Sequence, residues 1–171
     1  RISRIYEGTN EINRMLIVGT LLKRAIKNEI PLFKEASKVI KGDEDIVFNE
    51  SEDFFENYYN YVSNLKKCSL FVLGNVALHF GDKIKNEQEI MMNIADIIIN
   101  IYVIESTIKR CQKLFIKNKN KILKDISEVS FYNNVNKIRK DSIESLLSFM
   151  NRKKLNNSVN KLATKNVTNL H

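Results

Sequence analysis

The residues best suited to chemistry lie at the start of the chain, in the run Arg4-Ile5-Tyr6-Glu7-Gly8-Thr9-Asn10-Glu11-Ile12-Asn13-Arg14. A carboxylate, Glu7, is followed at once by a glycine and a helix-capping residue. Gly8 can take φ > 0 and lets a ligand approach the backbone. Thr9 is a favoured N-cap, and Glu11 falls in the first turn, where the helix dipole favours a carboxylate. The N–H groups of such a helix start can bind an anion such as a pyrophosphate. A base beside that start suits proton abstraction near a phosphorylated cofactor. The same spacing also describes a solvated turn carboxylate ahead of a capped helix, and spacing alone leaves both open.

Other reactive residue types are sparse. Cys68 and Cys111 are the only cysteines, with no zinc-ligand spacing between them. Both sit in apolar helical patterns, which predicts buried free thiols and favours a reducing compartment. His79 and His171 have no ligand partners at useful spacing, so no metal site is expected. There is no P-loop, no dinucleotide fingerprint and no nucleophile elbow. The basic run 109–124 with Phe115 resembles no nucleic-acid module and reads as a solvated face.

The elements that must position the first segment read as helices throughout. One Pro and five Gly in 171 residues leave little scope for a turn-rich sheet fold. The first helix follows Thr9, with Ile12, Leu16, Gly19 and Lys23 on one line and Met15, Leu22 and Ile26 filling an apolar face. Pro31 predicts its end near Asn28. Residues 31–41 form a short amphipathic helix, with Leu32, Ala36, Val39 and Ile40 on one side and Lys34, Lys38 and Lys41 on the other. A long helix starts near Ser51 or Glu52 and ends at Gly81-Asp82. Another starts around Asn86-Glu87 and breaks in the polar run 117–121. Its segment 90–104 is nearly all apolar, yet Asn93, Asp96 and Asn100 interrupt it at one-turn spacing, which fits a buried bundle helix better than a membrane span. Helical pattern returns over 131–151 and fades over 152–171, where a loosely held tail is expected.

The net charge of +8 is uneven: residues 106–171 carry 15 basic and 4 acidic side chains. A basic end suits an acidic surface or partner. That inference is weakened by 22 Asn, 22 Ile and 21 Lys, whose codons are AT-rich, so many surface lysines are generic.

The run Tyr6-Glu7-Gly8-Thr9, followed by a helix containing Ile12 and Arg14, resembles the catalytic-base motif of the acyl-CoA dehydrogenases. Downstream, Lys85-Asn86-Glu87-Gln88, Ile94-Ala95-Asp96 and Ile101-Tyr102 are similar to the C-terminal extension of the very long-chain branch, to about residue 115. Medium- and short-chain enzymes end soon after the first helix. The isovaleryl branch lacks Glu at the base position. The resemblance implies that Glu7 is the general base and that Tyr6 and Gly8 border the acyl-CoA substrate. It further implies that Thr9, Asn10 and Glu11 contact FAD. It implies α,β-dehydrogenation of long-chain acyl-CoA to the trans-2-enoyl-CoA in fatty-acid β-oxidation. The partners it implies are electron-transfer flavoprotein, a second copy in a homodimer, and a membrane surface held peripherally. The compartment would be the cytoplasm of a bacterium or the matrix side of the mitochondrial inner membrane.

The fold expected is all-α. Residues 1–29 would be the catalytic-base loop and last helix of a dehydrogenase core, and 30–50 a linker with a short amphipathic helix. Residues 51–151 would be an antiparallel helical extension and 152–171 a basic, loosely ordered tail. The first residue, Arg1, suggests a cut inside a longer protein, and the 171 residues alone are expected to be inactive. The rival from another class is a non-catalytic dimerisation, membrane-docking or assembly module. For the segment 31–41, docking on an anionic membrane competes with packing on the extension.

Overall fold

The computed structural model describes residues 8–43 and 50–163. Among the described residues there is no strand: six α-helices and one 3-10 turn follow one another. They are α1 (Asn10–Ile26), α2 (Leu32–Lys41), α3 (Phe54–Phe80), the 3-10 turn Gly81–Asn86, α4 (Gln88–Asn118), α5 (Ile122–Leu147) and α6 (Arg152–Ala163).

Local signals set the boundaries. Thr9 caps α1 as expected, its Oγ1 accepting from the N–H of Ile12 at 3.4 Å. α1 stops before Pro31 can act. Asn28 takes a left-handed φ of 58°, and the N–H groups of Asn28 and Glu29 return to the carbonyls of Ala25 and Arg24. This is the Schellman ending, with Asn in the place glycine usually holds. α2 ends the same way at Gly42, φ 80°, with the Asp43 N–H returning to Lys38. α3 starts two residues beyond Glu52 because Asp53 is the cap: its Oδ1 accepts from the Glu56 N–H at 2.9 Å.

α3, α4 and α5 form the extension. Phe55 at the start of α3 meets Phe115 at the end of α4, so these two run antiparallel. Tyr58 meets Phe131 near the start of α5, and Phe80 meets Phe149 just past its end, so α3 and α5 run parallel. α4 lies between α1, α3 and α5 and buries Ile90, Ile94, Ala95, Ile97, Ile101, Ile104 and Ile108. By length and composition α4 could cross a bilayer, but its apolar face is buried within the bundle.

Three sequence expectations change. The buried face of α1 is Val18, Leu22 and Ala25, while Ile12, Leu16 and Ile26 are exposed. α5 begins at Ile122, nine residues before the expected start. Its buried face carries the expected Phe131, Ile138 and Leu146 together with Ser127, Asn134 and Ser145, while Ile126, Val129 and Tyr132 face outward. Each buried polar side chain donates to the carbonyl four residues back: Ser127 to Leu123, Asn134 to Ser130 and Ser145 to Asp141. The tail begins as a helix: Asn151 Oδ1 accepts from the Lys154 N–H at 2.8 Å, and Leu155 is buried.

The apolar side of α2 packs on α3, with Ala36 and Val39 buried. The approach is close at Gly74, where a Cβ would stand 2.9 Å from the Cβ of Ala36 and 2.8 Å from Cδ1 of Ile40. Ile40 can move its terminal methyl, but Ala36 has no rotamer with which to yield. Overpacking costs about 1–3 kcal/mol, against a helix-propensity gain of about 1 kcal/mol for Gly→Ala. Gly74→Ala is therefore expected to destabilise the chain. Gly19, with no atom within 4 Å of its would-be Cβ, should gain about 0.5–1 kcal/mol on Gly19→Ala. Denaturant melts of both variants check this; a Gly74→Ala protein more stable than Gly19→Ala would contradict the packing described.

Candidate active site

The site begins where the chain enters α1. Tyr6 and Glu7 lie outside the described residues. Gly8, Thr9, Asn10 and Glu11 follow in one tight unit. Gly8 has φ 103°, a conformation that disfavours any side chain, so the glycine is required by the backbone itself. A Cβ there would also press on Oδ1 of Asn13 at 3.2 Å. Asn13 folds back over this turn and donates from Nδ2 to the Gly8 carbonyl at 3.2 Å.

The helix start is already partly occupied by its own side chains. Thr9 takes the Ile12 N–H. The Glu11 carboxyl is held below its ordinary value of 4.5, first by its own backbone N–H, then by the Thr9 hydroxyl, with a smaller contribution from Arg14. Glu11 is therefore a standing anion in the first turn, exposed to solvent. It disfavours a second anion beside it. What the unit offers a cofactor is neutral and polar: the Thr9 hydroxyl and the Asn10 side chain, on a rigid turn.

Two residues outside the expected set complete the unit. Arg14 donates from Nε to Asp96 Oδ1 of α4 at 2.6 Å and from Nη1 to the Asn10 carbonyl at 3.3 Å. Asn13 and Arg14 stand within the motif, but spacing gives no reason to single them out. The Asp96 signal is the carboxylate interrupting an apolar run.

Elsewhere the candidate groups are engaged in packing. Cys111 is buried and burial pushes the Cys68 thiol up to about 11, so both are poor nucleophiles. The His79 ring stacks on Phe149 at 4.6 Å. In the basic run, Lys109 pairs with Glu105 at 2.7 Å, and Lys124 lies over the rings of Phe54 and Phe115 at 5.1 Å each.

Comparison with known proteins places this architecture. Residues 64–163 match the family model "Acyl-CoA dehydrogenase, C-terminal domain", so the match falls on the extension and leaves the Gly8–Arg14 unit outside it. A probable acyl-CoA dehydrogenase of Bacillus subtilis (strain 168) is 41% identical over 117 residues, 66% of this chain and 19% of that protein. A crystal structure of an acyl-CoA dehydrogenase complexed with FAD, from Bacillus anthracis, superposes with a TM-score of 0.86 at 34% identity. That superposition covers 98% of this chain and 28% of the other. The chain thus spans between a fifth and a third of the length of these relatives.

One carboxyl of the extension is set against its neighbours. Asp141 on α5 is raised above the ordinary 3.8, first by burial, then by the charges of Asp96 and Glu144, with Lys140 and Lys137 opposing. A raised carboxyl holds its proton more tightly when folded, so ionising it costs stability as pH climbs from below 3.8 through the raised value. Asp141→Asn is expected to raise stability slightly at neutral pH, by under about 1 kcal/mol for this half-buried, partly screened group. The gain should vanish near pH ~3, where the native carboxyl is already protonated. An equal gain at both pH values would contradict the electrostatic origin.

Proposed function

This chain belongs to the acyl-CoA dehydrogenase family through its C-terminal domain, and on that premise we propose that it is the C-terminal part of an FAD-dependent enzyme. Its reaction is the α,β-dehydrogenation of long-chain acyl-CoA in fatty-acid β-oxidation, of the very long-chain type. The observation that carries this reading is the Gly8–Thr9 turn, with φ 103° at Gly8 and a capped helix directly behind it. It follows Glu7 in the motif Tyr6-Glu7-Gly8-Thr9. The FAD complex of the Bacillus anthracis protein supports the cofactor assignment, and the long helical extension supports the very long-chain type.

Each residue then has a physical task. Glu7 takes the proton from the α-carbon of the thioester. That carbon is a weak acid, so the enolate must be stabilised as it forms. The backbone N–H of Glu7 donates to the thioester oxygen, where negative charge develops. An apolar acyl chain packed over the carboxylate excludes water and raises its pKa toward that of an effective base. Gly8 leaves the substrate room to lie against the backbone, and Tyr6 walls the thioester. Thr9 and Asn10 hold the flavin nucleotide through neutral hydrogen bonds. Glu11 stays ionised in the first turn that Thr9 caps. When bound, FAD supplies the acceptor for the hydride that leaves the β-carbon. These 171 residues provide one wall of each site, and turnover belongs to the longer protein.

Glu7→Gln keeps the shape of the carboxylate and removes the base. In the full-length protein it is expected to lower palmitoyl-CoA turnover by ~10²–10⁴-fold or more, with FAD content unchanged. A Gln variant of near-normal turnover would remove Glu7 from the role of base.

A further inference from the structure

The Gly8–Arg14 unit is tied unevenly to the rest of the molecule. The later turns of α1 are held by burial: Val18, Leu22 and Ala25 are packed in. Within this chain the first turn is less buried: Asn10 is half-buried, and Glu11, Ile12 and Asn13 are exposed. Among the described residues its tertiary polar link is the Arg14 guanidinium. Nε reaches Asp96 at 2.6 Å, 82 residues away in sequence, while Nη1 reaches the Asn10 carbonyl at 3.3 Å within the first turn. The same planar group thus joins the helix start to the middle of α4, and its geometry fixes both contacts at once. The pair is about two-thirds shielded, with 31% and 33% exposure, so solvent screens it less than an open surface pair.

Asp96 is the carboxylate in the half-buried polar stripe Asn93, Asp96, Asn100 of α4. Its neighbours along α4 are Ile94, Ala95, Ile97 and Ile98, most of them buried. α5 brings the carboxyl of Asp141 close enough to feel its charge. The stripe alone, with Asn93 and Asn100 on either side, does not call for a charge. The Arg14 contact does.

We propose that Asp96 is a positioning residue for the start of α1: through Arg14 the extension fixes the first turn, which the proposed base precedes in sequence. This rests on the function proposed above, because it assigns the extension a part in aligning Glu7. The extension then does more than add bulk or an interface. Misplacing a reacting group by about 1 Å can cost 10²-fold in rate, so loosening one turn has a measurable consequence.

The test uses the full-length FAD-loaded protein with Asp96→Asn, Asp96→Ala and Asp96→Glu. Amide hydrogen exchange is followed over residues 8–16 and 18–25, beside palmitoyl-CoA kinetics and FAD content. Asp96→Asn and Asp96→Ala are expected to speed exchange at 8–16 about tenfold and leave 18–25 unchanged, as for a local opening. Turnover should fall about tenfold, with KM and FAD content nearly unchanged. Asp96→Glu, which can still pair with Arg14, should recover most of both losses. Unchanged exchange at 8–16 would overturn the proposal. So would turnover loss that tracks FAD loss without recovery in Asp96→Glu. If the unsubstituted protein does not oxidise acyl-CoA, the functional reading fails separately, and the exchange measurement still decides whether Asp96 holds the turn.

Discussion

The burial of α4 is the constraint on which the rest of this molecule depends. Ile94, Ile97, Ile101, Ile104 and Ile108 lie on one side of that helix and are almost wholly removed from water. Burial of each such side chain is worth ~1.5–3 kcal/mol relative to exposure. α1, α3 and α5 each need that face to cover their own apolar residues, so they have no independent way to be ordered. Antiparallel pairing of α3 with α4 follows from the short 3-10 turn between them, and parallel α3 and α5 follow from two such reversals. Aromatic contacts then close each end: Phe55, Tyr58, Phe115 and Phe131 at one, Phe80 and Phe149 at the other.

Because α4 is also the support of α1, the candidate site inherits its orientation from the extension. The helix that follows the Gly8 turn is held along its length by apolar contact and at its start by one ion pair. The first turn uses its own side chains to satisfy its donors, with Thr9 on Ile12 and Asn13 on the Gly8 carbonyl. Such a turn is rigid and polar without being an anion trap, since Glu11 already holds a negative charge there.

Much of the fold is legible in the sequence because α3 and α4 carry strong apolar periodicity and because Thr9, Gly42 and Gly81 punctuate it. α5 is legible from Phe131 on, where Phe131, Ile138 and Leu146 are buried as expected; its first turns are not, because the inward face there carries Ser127, whose hydroxyl bonds back to the Leu123 carbonyl. Periodicity also misassigns α1. Ile12 and Leu16 look like core, but the face that meets α4 is Val18, Leu22 and Ala25, and only the neighbouring helix decides between the two. The motif itself is legible as residue types. The roles of Asn13 and Arg14 are not, because both depend on where side chains fold back and on a partner 82 positions downstream of Arg14. Asp96 is visible as an anomaly in an apolar run, and the structure gives the anomaly its partner.

The central claim is that this chain completes an acyl-CoA-oxidising flavoprotein in which a carboxylate on its first segment removes the α-proton. The most direct test is a single half-reaction: palmitoyl-CoA added without oxygen to the full-length, FAD-loaded protein, with the visible absorbance of the flavin followed. The account predicts rapid bleaching at one equivalent of substrate together with formation of the trans-2-enoyl-CoA. A flavin that stays fully oxidised in the presence of saturating long-chain acyl-CoA would contradict it.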